Sequence, residues 1–191
     1  MKTHVPFSDR LQLAGQLVAR ARIFYDIWWF YEGADTRPKI IDTMNMYSEF
    51  FRFDSHANFV ALVVYLGGLF EKRADTINLP ALVSEAGASG TAPADVIAQA
   101  KSLLAQVEAL QPKVAILRSN LFAHRSASLS YAAAFRKAAI EPNQLRELTE
   151  VGLRVVNLFL VARRLPEQVF HGGARQHAEA LLKALTTRGG T

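Results

Sequence analysis

The sequence predicts an all-α protein, an up-and-down bundle of four main helices with short extra helices, forming one domain over residues 1–191. Three observations carry this. Apolar residues recur at three- and four-residue spacing over long stretches, the period that lines one face of a helix. No stretch keeps the strict apolar–polar alternation of a half-buried strand, and no internal repeat is found. Proline, glycine and capping residues fall between the periodic stretches, where helices start and stop. Half of the 191 residues are hydrophobic, enough for one sizeable core and too many for a disordered chain.

The first helix runs from Phe7 to about Glu32. Leu11, Ala14, Leu17, Val18, Ala21, Phe24 and Tyr25 line its apolar face, and Ser8 or Asp9 is the expected N-cap. It ends in Trp28, Trp29, Phe30 and Tyr31. Four adjacent aromatics point all round a helix, so either a neighbouring subunit covers some of them or they line a groove; two in the core and two partly exposed is favoured over an aromatic base-stacking platform. Thr36-Arg37-Pro38 breaks the chain, because the residue before proline disfavours helix. A second stretch covers about Lys39 to Arg52. Asp54-Ser55 then offers a cap for an apolar helix over 56–73, although 39–73 also fits one bent helix. Gly67-Gly68 reads as close helix packing and Glu71-Lys72-Arg73 as a solvated end.

Asn78-Leu79-Pro80 starts a short helix to about Ala86, and residues 87–93 make a loop. Pro93, with Thr91 as cap, opens a long helix whose stripe is Val96, Ala100, Leu103, Leu104, Val107 and Leu110. Pro112 should bend it before Val114, Ile116 and Leu117 continue. Pro142 restarts a helix with Leu145, Leu148, Val151, Val155, Leu158, Phe159 and Ala162 on its core face, and Gly172-Gly173 sets off a peripheral helix near 174–186.

Composition narrows the function. The chain has no cysteine, which removes disulfides, thiolate metal sites and a cysteine nucleophile. The N-terminus lacks an apolar signal region. The uncharged run His56–Phe70 is shorter than the ~20 residues a bilayer needs. A cytoplasmic protein with no membrane partner is expected. The net charge of +5 is uneven: residues 1–111 carry 10 Lys and Arg against 12 Asp and Glu, and residues 112–191 carry 12 against 5. The basic half suits a polyanion partner, or a solvated arginine-rich surface.

That half opens within QPKVAILRSNLFAHRSASLS, residues 111–130, which places Arg118, Ser119, Asn120, His124 and Arg125 on an apolar helix. No H-E-x-x-H, P-loop, G-x-S-x-G or G-x-G-x-x-G accompanies it, so metal-free chemistry without a cofactor is the reading. Histidine serves as acid or base near neutral pH, and arginine is always charged and fits phosphate. Together they suit transesterification of RNA, which needs a base for the 2′-hydroxyl, an acid for the leaving 5′-oxygen and positive charge at phosphorus. In an ideal α-helix Arg118 and His124 would stand about 9 Å apart along the axis and about 120° around it. One helix alone then presents half a site. A bend, another helix or a second subunit would supply the rest.

Arg118-Ser119-Asn120-Leu121-Phe122-Ala123-His124 is similar to the Arg-x(4–6)-His motif of the HEPN superfamily, and LRSNLFAHR resembles the R-N-K-x-x-A-H-R form of abortive-infection AbiU-type HEPN proteins. Glu49-Phe50-Phe51 and LGGLFEKRADTINLPALV, residues 66–83, resemble that family too. The resemblance implies a HEPN-like helical bundle that pairs as a homodimer, with a metal-independent endoribonuclease site of toxin–antitoxin or phage-defence type at the dimer cleft. It implies Arg118, Asn120 and His124 as catalytic residues, Ser119 and Arg125 as RNA-binding residues, and a nucleotidyltransferase-like antitoxin as a possible partner. Family members usually carry a polar residue, often Asn, directly after the arginine. Here Ser119 takes that place and Asn120 follows. An acidic residue from another helix often completes such sites, and up-and-down packing puts Glu32, Asp42 or Glu49 nearer than Glu71. Two other readings stand beside this one: a non-catalytic helical dimer binding RNA, nucleotide or protein, and a structural cluster in which the arginines pair with carboxylates.

Overall fold

Twenty-six residues, Phe7–Glu32, wind into α1, and much of the chain packs around it. The computed structural model describes residues 5–73, 75–123 and 131–188, and among these all regular structure is helical. The expected side-chain cap of α1 is replaced by backbone: the Pro6 carbonyl accepts from the N–H groups of Asp9 and Arg10. Proline's fixed φ presets that turn, and Asp9 lies in the first turn, where the helix dipole favours it.

The next two helices are α2, Arg37–Met46, and α3, Ser48–Phe70. Pro38 sits in the first turn of α2, as its missing N–H allows. The break falls at Tyr47 (φ −122°, ψ 42°) and not at Asp54-Ser55. Ser55 is inside α3 because its hydroxyl has a tertiary partner, donating to Glu32 Oε1 at 2.7 Å. By length and composition α3 could cross a membrane. In the fold it is a core helix, with Leu62, Val63, Leu66 and Leu69 buried.

Asn78 caps α4, Leu79–Ser89, by accepting from the Ala81 N–H at 2.8 Å, and Gly90 closes it at φ +65°. That left-handed position suits glycine and shortens the expected loop. Pro93 precedes α5, Ala94–Gln106, while the Thr91 hydroxyl meets Ser89 and caps nothing. Pro112 enters the first turn of α6, Gln111–Leu117, so the bend lies before it, in a 3-10 turn at Glu108–Leu110. A proline ring clashes with the carbonyl four residues back, here that of Glu108. A π-helical turn, Arg118–Ala123, continues α6. Then come α7, Tyr131–Ala138, and α8, Pro142–Ala162, which starts with a capping box between Glu141 and Gln144.

The main core joins faces of α1, α3, α4, α5, α6 and α8. The last helix, α9, Gly173–Arg188, is less peripheral than its sequence suggests. Ala178 and Leu182 complete a second cluster with Phe30, Tyr31, Met44 and Phe51. The aromatic end of α1 divides as expected: Phe30 and Tyr31 are buried, and Trp28 and Trp29 are half-buried against the main core.

Candidate functional site

Leu117 is fully buried and ends α6; Arg118 follows where the winding widens to i→i+5 bonding. Helical geometry with 100° per residue therefore does not continue over Arg118–Ala123. Widened turns of this kind occur often at functional sites. The Asn120 side chain reinforces the turn, its amide nitrogen donating to the Ile116 carbonyl at 2.8 Å.

The π turn lies against α3. Arg118 Nη1 donates to Glu71 Oε2 at 2.9 Å, with the two side chains 34% and 17% exposed. Glu71 is the residue directly after α3, so the expected solvated end is half right: Lys72 and Arg73 are exposed and Glu71 is not. A carboxylate here faces the negative end of the helix dipole, and the guanidinium is its counter-charge. The stem of Arg118 crosses α3 at Gly67, where a Cβ would stand 2.7 Å from Arg118 Cδ. Gly67 thus packs closely, as expected, but against this arginine, while Gly68 has nothing within 4 Å.

Gly67, Glu71, Arg118 and Ser119 share a cleft of about 560 Å³. Its apolar wall includes Leu66, Phe70, Val114 and Leu148, and Lys72 and Arg73 stand at its mouth. The three cations already have carboxylates: Arg118 with Glu71, Lys72 with Glu108 at 2.9 Å, and Arg73 with Asp75 at 2.7 Å. The described part of the cleft is therefore close to electrically balanced. Arg118 keeps unused capacity, since a guanidinium has five N–H donors in a planar fork.

Of the site residues read from sequence, Arg118 and Ser119 come together in this cleft. Asn120 does not line it, and His124 and Arg125 lie outside the described residues. The acidic partner differs from expectation. Glu32 instead bonds Arg37 and Ser55, and Asp42 and Glu49 are exposed. Arg118 enters beside the last turn of α3, not its first, and that places Glu71 within reach. The usable signal was a glycine four residues before a glutamate at the end of an apolar helix, one on either side of the same turn.

A family model described as AbiU2, of the HEPN type, matches residues 6–162. No curated protein and no solved structure matches the chain.

Proposed function

From the premise that this chain belongs to the AbiU2 family of HEPN domains, we propose that it is a metal-independent endoribonuclease acting in phage defence. The observation that carries this reading is Arg118, held by Glu71 across Gly67 with donors to spare in an open cleft. The 2′-hydroxyl attacks the adjacent phosphorus, the bond to the 5′-oxygen breaks, and a 2′,3′-cyclic phosphate and a 5′-hydroxyl result. Arg118 stabilises the charge gathered on the phosphoryl oxygens. His124 moves the proton, as base toward the 2′-hydroxyl or as acid toward the 5′-oxygen. Ser119, exposed beside Arg118, and Arg125 hold flanking phosphate. The near balance of charge in the cleft supports a second copy of the chain as the source of the remaining cations, and so a homodimer.

Purified protein and single-stranded RNA in excess EDTA provide the test. Cleavage to cyclic-phosphate ends is expected, with loss of about a hundredfold or more in His124→Ala and Arg118→Ala. Cleavage that persists in both variants overturns the assignment.

The second reading, a non-catalytic dimer that binds RNA, nucleotide or a protein such as a nucleotidyltransferase-like antitoxin, is favoured by Asn120. Its amide nitrogen is turned back onto the Ile116 carbonyl and away from an orienting role. Salt-sensitive RNA binding without cleavage would select that reading.

A further inference from the structure

Toward the other end of α3, a second cleft of about 600 Å³ opens between the end of α1, α2 and the first turns of α3. A row of three rings forms one wall. Trp28 meets Phe59 at 4.8 Å between centroids, and Phe59 meets Phe135 of α7 at 5.6 Å, within 22° of parallel. Phe59 is buried, while Trp28 and Phe135 are half-buried and line the opening.

The same cleft contains a carboxylate fixed from two sides. Ser55, only 7% exposed, donates its hydroxyl to Glu32 Oε1 at 2.7 Å, and Arg37 Nη1 donates to Oε2 at 2.6 Å. The Glu32 side chain keeps 35% of its exposure. An ionised carboxylate has about four acceptor sites, so a pinned Glu32 can accept more.

We propose that this cleft is a nucleobase pocket, which takes one unstacked base of single-stranded RNA and prefers guanine. Every base has a face that stacks on aromatic rings, so the ring wall gives affinity without choice. The carboxylate gives the choice, because it only accepts. Guanine presents an N1–H and an exocyclic amine side by side on its Watson–Crick edge. Adenine and cytosine place a ring acceptor there, which an ionised carboxylate repels, and uracil flanks its single N–H with carbonyls. Arg37 is placed to donate to the guanine O6 or to a neighbouring phosphate.

The pocket deepens the ribonuclease reading and rests on it for the identity of the strand. Phe59 lines this cleft and Leu66 lines that of Arg118. They are seven residues apart, about two turns on one stripe of α3. Both clefts therefore open along one side of that helix, and a strand held at Glu32 is led toward Arg118.

The test uses the full chain with guanosine and adenosine 5′-monophosphates, measured by calorimetry, with melting temperature as the check on folding. Guanosine monophosphate is expected to bind about tenfold or more tightly than adenosine monophosphate. Glu32→Gln, which still accepts from Ser55, should erase that preference. Trp28→Leu should weaken both about tenfold, as should Ser48→Trp, which fills the cleft from its exposed rim. Nucleotide binding is measured apart from RNA cleavage, so loss of cleavage alone does not touch the pocket. Equal binding of the two nucleotides, or binding indifferent to both Trp28→Leu and Ser48→Trp, overturns it, even where RNA is cleaved.

Discussion

At Glu71 two effects of similar size oppose each other. A negative charge at the C-terminal end of a helix costs about 0.3–1 kcal/mol, and a partly exposed ion pair returns about 0–1 kcal/mol. The sum is near zero, so what Glu71 contributes is the placement of Arg118. Glu71→Gln should change the urea unfolding free energy by less than about 0.5 kcal/mol, while RNA cleavage falls by about tenfold to a hundredfold. A large stability loss with unchanged cleavage would make Glu71 a structural residue only. Gly67 gives the complementary case. Alanine is favoured over glycine in a helix by about 1 kcal/mol, yet its Cβ would lie 2.7 Å from Arg118 Cδ. The obstacle is a side chain able to swing into solvent. Gly67→Ala should therefore hold or raise the melting temperature and lower cleavage. In the double variant, Glu71→Gln should add little, since the ion pair is already broken.

Elements whose signals are local were legible in the sequence. Phe7 and Glu32 bound α1 as its periodicity predicts, Asn78 caps α4, and Pro142 starts α8. Boundaries set by distant partners were not. Asp54-Ser55 looks like a cap until Ser55 is seen bonded to Glu32, 23 positions earlier. Glu71 looks solvated until Arg118 arrives from 47 positions later. The role of α9 was hidden for a related reason: it buries only Ala178 and Leu182, too few to make a strong stripe. This helix lies beyond the region matched to the family, residues 6–162, but it covers Phe30, Tyr31 and Phe51. Leu182→Ala should cost about 2 kcal/mol in chemical denaturation. A chain ended after Gly172 should bind a hydrophobic dye and self-associate, because that cluster would face water.

For the whole molecule, the basic C-terminal half is a weaker sign of a polyanion partner than its total suggests. Much of that charge has internal work: Arg146 pairs with Glu150, Arg175 approaches Asp35, Arg163 lies over the Phe7 ring, and Lys113 bonds the Ala139 carbonyl. RNA contact should then rest on few cations. For single strands each neutralised phosphate contributes about 0.7 to the slope of log affinity against log salt. Arg118→Gln should reduce that slope by about 0.7 in a filter-binding titration; no change would remove Arg118 from the phosphate path. The all-α class was readable from sequence, whereas the way the chain winds over Arg118–Ala123 was not. The hydrogen bonds of the wide turn at Arg118–Ala123 each span one residue more than those of the α-helix before it. A deletion of one residue there could be absorbed by rewinding, with α3 and α6 left where they are. The variable arginine-to-histidine spacing of the motif then becomes a question of thread pitch, and length changes can be accommodated beside the site without moving the bundle that carries it.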